Sequence, residues 1–182
     1  KIQHTEAFGA EVILAGSTLV GSFEHAQGLV SEGWTLIHPY DDPAVIAGQG
    51  TVALEMLAQD PALECIVVPV GGGGLIAGIA TAVKALNPSV EVIGVQAASH
   101  PFFRAALLGE TPPVLFSETI AEGIAVKFPG ALALEIARKN ATEILVVSER
   151  DLEQAVSLLI NIEKTVAEGA GAAALAAVIS TR

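Results

Sequence analysis

Short runs of β-branched residues alternate with longer Ala-rich or amphipathic runs along the whole chain. The short runs predict strands at residues 11–15, 34–38, 65–70, 91–96 and 143–147. The longer runs predict helices at 19–31, 45–59, 75–86, 100–108 and 131–139, then from Ser148 to about 164, and at 166–180. Ser148 with Asp151 three residues on has the form of a capping box. Residues 39–43 form a turn-rich break between two prolines, and 111–117 form a loop around Pro112-Pro113. There is no internal repeat and no long linker. Strand–helix alternation at this spacing predicts an α/β fold: an open, mostly parallel twisted sheet with helices on both faces.

Composition narrows this picture. The chain has 182 residues, enough for a sizeable core, and is 52% hydrophobic but only 4% aromatic. Such an Ala/Val/Leu/Ile interior suits helices packed closely on a buried sheet. The net charge of −11 argues against nucleic acid or an anionic membrane as partner. The single cysteine, Cys65, excludes an internal disulfide and a multi-cysteine metal site, and a reducing cytoplasm fits. Residues 65–83 carry no charge, but Pro69 and the glycines that follow punctuate a strand and a helix rather than a membrane span. Glu6 and Glu11 interrupt the first apolar stretch, so it does not read as a signal peptide. The chain opens on Lys1 without an initiator Met and stops at Arg182 directly after an Ala-rich helical run; both ends read as cuts through a longer protein.

The strongest chemical signal is Gly71-Gly72-Gly73-Gly74-Leu75, set between the predicted 65–70 strand and 75–86 helix. Bare backbone at a helix N-terminus is suited to an anion: amides can approach it closely and the helix dipole adds positive potential. No Gly-Lys-Ser or Gly-Lys-Thr closes the loop, and no ribose-binding acid follows at dinucleotide spacing. The loop therefore points to a phosphorylated cofactor rather than to phosphoryl or hydride transfer.

Four motifs stand in order: residues 43–51 (Pro-Ala-Val-Ile-Ala-Gly-Gln-Gly-Thr), the loop 71–74, residues 119–123 (Thr-Ile-Ala-Glu-Gly) and residues 168–172 (Glu-Gly-Ala-Gly-Ala). In this the chain resembles, over essentially its whole length, the threonine dehydratase and serine racemase group of fold-type II pyridoxal 5'-phosphate (PLP) enzymes. The resemblance implies a tryptophan synthase β-like fold, with residues 1–45 as a remnant of the small domain and crossover. Residues 46–182 would be the large PLP-binding domain, truncated at both ends. It implies that Gly71, Gly72, Gly73, Gly74 and Leu75 hold the cofactor phosphate, that Gly123 lies beside the cofactor ring, and that Glu168 is an acid near it. Glu168 is alternatively a helix-cap carboxylate. Gln49 and His38 fall at the same cleft, each with a purely structural role as its other reading.

The resemblance places the Schiff-base lysine and a Ser-Gly-Asn-His loop upstream of Lys1, and a serine for the pyridine nitrogen beyond Arg182. None of Lys1, Lys84, Lys127, Lys139 and Lys164 matches the lysine motif, so no catalytic residue is expected in this chain; Lys127 reads as a surface or local ion-pair residue. The implied activity is conversion of L-threonine, and of L-serine, to a 2-oxo acid and ammonia in a cytoplasmic homo-oligomer. The implied setting is isoleucine biosynthesis or threonine breakdown. Racemases of this group often carry a divalent cation held by two acids after the strand that follows the glycine loop. Gln96 and Phe102 occupy those positions, with His100 between them, so no metal site is expected. Other readings are a racemase, and a non-catalytic fragment or small-molecule binding module.

Overall fold

A computed structural model describes residues 1–17, 19–112, 118–141 and 143–180. It divides into two compact units, Lys1–Ile37 and His38–Arg182. The first contains α1 (Ile2–Ala7) and α2 (Leu19–Ser31). Its two predicted strands, 11–15 and 34–38, are absent: both stretches are irregular. A strand needs a partner for its backbone and its apolar face. Here Leu14, Trp34 and Ile37 are each more than 60% exposed (77%, 64% and 72%).

The second unit holds α3 (Pro43–Gln59), β1 (Cys65–Pro69), α4 (Gly74–Leu86), β2 (Glu91–Ala97), α5 (Phe102–Leu108), a 3-10 turn (Glu122–Ile124), α6 (Ala131–Asn140), β3 (Glu143–Val147), α7 (Glu149–Asn161) and α8 (Gly169–Ser180). This unit takes in the turn at residues 38–42 together with α3. Asp42 is the N-cap of α3, accepting from Ala44 and Val45, and Pro43 occupies the first turn. The final helices are shorter than the sequence implies. α7 stops at Asn161, and α8 starts at Gly169 after a stretch in which Lys164 takes a φ of 55°.

The strands form a parallel sheet in the order β1-β2-β3, with Val67 opposite Ile93 and Val95 opposite Leu145. Alternate residues face opposite cores. Ile66, Val68, Val92 and Ile144 join α3, α4 and α6 on one face. Val95, Ala97 and Val147 join α7 and α8 on the other. Small residues permit close approach. Ala172, Ala173 and Ala176 on α8 have no exposed surface, and a Cβ on Gly78 of α4 would strike the Ile46 carbonyl of α3. The capping box of α7 is present, with Ser148 and Asp151 bonded reciprocally. Those hydrogen bonds from Ser148 hold the Asp151 carboxyl below its ordinary pKa.

Among the described residues no helix is long and apolar enough to cross a membrane.

Candidate active site

The glycine loop leaves the C-terminal end of β1 and enters α4, the position where ligands bind in open parallel sheets. Gly73 is the N-cap of α4, with φ of 101°, and no side chain caps the helix. The first amides of a helix have no intrahelical acceptor. Here they are left to an external anion or to water.

The structure gives each glycine a reason that the sequence could not. A Cβ on Gly72 would enter the ring of Tyr40. One on Gly74 would lie 2.6 Å from the Tyr40 carbonyl oxygen. One on Gly73 would enter the Phe103 ring and come within 2.9 Å of the Ala133 Cβ, and one on Gly71 would meet Val126 at 3.0 Å. The loop is bare where protein packs against it on several sides.

Much of that packing comes from residues 38–42. The His38 ring stands edge-on to Tyr40 at 4.6 Å between centroids, and its Nδ1 accepts from the Asp41 amide at 2.9 Å. The Tyr40 hydroxyl donates to the Phe128 carbonyl at 2.8 Å. Burial, reinforced by the Asp41 charge, pushes the Tyr40 phenol above its ordinary pKa, so it remains a donor. Asp41 caps α6, accepting from Ala131 at 2.9 Å and Ala133 at 3.1 Å. The Gly130 amide donates to the Gly72 carbonyl at 2.9 Å. This turn thus caps α3 and α6 and backs the loop between them. Replacing Asp41 with Ala should lower stability by about 1–2 kcal/mol, the usual worth of an N-cap. Urea unfolding checks this, and an unchanged midpoint would show that the cap contributes nothing.

A cavity of about 500 Å³ opens in front of the loop. Gly71–Gly74, Leu75 and Gly123 line it together with Tyr40, Gln49, Ile124, Val126 and the first residues of α8, Ala170 and Gly171. Its size suits a small-molecule ligand. Gly123 faces α8, and a Cβ there would press on Ala170 at 3.0 Å. Glu168 lies just before α8 and is exposed; the lining from this segment comes from Ala170 and Gly171 instead. Its backbone carbonyl accepts from Ala172, while its side chain is not part of the cavity wall. His38 is likewise not a lining residue; it shapes the turn behind the loop.

None of the five lysines lines the cavity. The Lys84 ammonium donates to the Pro88 and Val90 carbonyls, Lys139 pairs with Glu135, and Lys164 donates to the Asn161 carbonyl. Lys127 is exposed; with burial as the larger cause, its charge helps lower the pKa of His100, against an opposing effect of Glu149. Gln96 is fully buried, and its amide is occupied. Nε2 donates to the Val70 and His100 carbonyls, both at 3.2 Å, and Oε1 accepts from the Arg104 amide at 2.8 Å.

An uncapped helix N-terminus fronts a cavity at the end of a parallel sheet, an arrangement suited to an anionic small molecule. The chain belongs to the family described as pyridoxal-phosphate dependent enzyme, whose model matches residues 1–182. It is 44% identical over 182 residues to an L-threonine ammonia-lyase of Thermotoga maritima, covering 99% of this chain and 45% of that protein. The crystal structure of a threonine deaminase from T.th. superposes with a TM-score of 0.91 at 42% identity, covering 99% of this chain and 61% of that one. Maize serine racemase gives a TM-score of 0.91 at 31% identity, with coverages of 99% and 57%. The chain spans about half the length of the curated relatives it matches.

The residues present fit the family's cofactor. The helix N-terminus offers amides and dipole to a phosphate, and the apolar walls from Val126, Ile124 and Ala170 suit a flat ring. These residues could hold the phosphate without a cationic side chain.

Proposed function

We propose that this chain supplies the cofactor-phosphate site of a PLP-dependent threonine ammonia-lyase acting on L-threonine and L-serine. The net reaction on threonine gives 2-oxobutanoate and ammonia; water leaves with the β-hydroxyl and is regained on hydrolysis. The observation that carries this reading is the uncapped glycine loop at the head of α4, in a chain 44% identical to an L-threonine ammonia-lyase. Bound PLP would supply an electron sink that acidifies the α-C–H of an amino acid joined to it. The residues of this chain bind and orient. Gly71–Gly74 and Leu75 hold the phosphate end, while Gly123 and Ala170 leave room for the ring. Gln49 is a polar wall residue of the cavity. Glu168, exposed and two residues before the lining residue Ala170, is the acid proposed to lie near the cofactor. The proton-transferring lysine is assigned outside these 182 residues, since none of the chain's lysines lines the cavity. The proposed division is small-domain remnant and crossover to residue 45 and PLP-binding domain from 46, in a cytoplasmic homo-oligomer.

Racemisation is the competing activity, supported by the similarity to serine racemase. The chemistry at Gln96 favours the lyase. A buried neutral amide donating to two carbonyls stands at the position where the resemblance implies a cation-holding acid in many racemases of this group. The expected result is that purified full-length protein with PLP forms 2-oxobutanoate from L-threonine, with activity unchanged by a strong chelator. D-serine formation from L-serine without keto acid, or a large Mg²⁺-reversible loss on chelation, would overturn the reading.

A further inference from the structure

Among the described residues, Gln96 is the polar residue that is completely buried, and it lies outside the cavity lining. Its three hydrogen bonds lead to both sides of the glycine loop. On one side Nε2 holds the carbonyl of Val70, the residue immediately before Gly71. The Val70 amide is itself bonded to the Val95 carbonyl at 2.8 Å, so this residue is fixed at both backbone groups. A trans peptide is planar, with its N–H directed opposite to its C=O. Fixing the Val70 carbonyl therefore fixes the direction of the Gly71 N–H.

On the other side Oε1 accepts from Arg104, in the first turn of α5, and Nε2 also holds the His100 carbonyl just before that helix. The neighbouring residue of Arg104 is Phe103, whose ring occupies the space against Gly73. Gln96 thus links the entrance of the loop to the aromatic ring that supports its helix cap. Fully used donors and acceptors of this kind define one geometry and are costly to break.

We infer that Gln96 is a positioning residue for the anion loop: it sets the direction of the Gly71 amide through Val70 and the support of Gly73 through α5. This rests on the reading of the loop as the cofactor-phosphate site. The donor at Nε2 is the essential element. Gln96→Glu preserves shape and the acceptor for Arg104, but turns an oxygen toward the Val70 and His100 carbonyls. Gln96→Met preserves approximate volume and removes both functions.

The test compares binding of PLP with binding of pyridoxal, which lacks the phosphate, to the protein and both variants by equilibrium dialysis. The protein should prefer PLP strongly. Each folded variant should lose about tenfold or more of that preference, with pyridoxal binding nearly unchanged; tenfold corresponds to about 1.4 kcal/mol, within the cost of an unmade buried hydrogen bond. Equal losses for PLP and pyridoxal would show a merely structural role, and full retention of the preference would show none; either overturns the inference. A parent protein without preference for PLP would overturn the phosphate-loop reading and this inference with it. Should both variants fail to fold, exchange of the Gln96 side-chain protons in the parent decides: slowing on saturation with inorganic phosphate is expected, and no change overturns the inference.

Discussion

Replacing Gly73 with Val should weaken PLP binding by about two orders of magnitude. The residue has φ of 101°, a region in which a β-branched side chain is a strong outlier. Its new Cβ would enter the Phe103 ring and press on Ala133, both in the core beneath the loop. Strain of this type costs about 1–3 kcal/mol, and forced overpacking a similar amount. Relief requires α4's first turn to move, and Gly74 and Leu75 of that turn line the cavity. The effect should therefore fall on cofactor affinity as well as on stability. Titration with PLP followed by fluorescence measures it, alongside urea unfolding to confirm that the variant is folded. Unchanged affinity in a folded variant would show that the phosphate is held elsewhere.

The second large effect concerns the chemistry. The 182 residues on their own, supplied with PLP and L-threonine, should form no 2-oxobutanoate above a PLP blank. Loss of a catalytic base costs on the order of 10²–10⁴ in rate, and here the group that joins the cofactor is missing from the cavity as well. Lys84, Lys139 and Lys164 are committed to carbonyls or to Glu135, and Lys127 is exposed outside the lining. Clear turnover would mean that one of them, with Lys127 the first to replace by Ala, reaches the cofactor.

Local signals were legible. The run from Ser148 to Asp151 spelled out a helix cap that the structure contains, and β3 has the limits expected from residues 143–147. The strands expected at 11–15 and 34–38 are absent, since a short apolar run marks a possible strand but does not supply its partner. The glycine run pointed toward an anion-holding loop but not to why each glycine is needed. That depends on Tyr40, Phe103 and Val126, which only the fold brings to the loop. Asp41 as the cap of α6 was equally hidden, because its acceptor atoms meet Ala131 across a separation of 90 residues. Gln96 read as a departure from a metal ligand; its hydrogen bonds to Val70, His100 and Arg104 became visible only in three dimensions.

The most direct test of the central claim is a crystal structure of the protein with PLP bound. The account predicts the phosphate at the head of α4, its oxygens about 2.7–3.2 Å from backbone nitrogens of the loop from Gly71 to Leu75. A phosphate held by lysine or arginine side chains, or lying away from α4 with these amides turned to solvent, would contradict it.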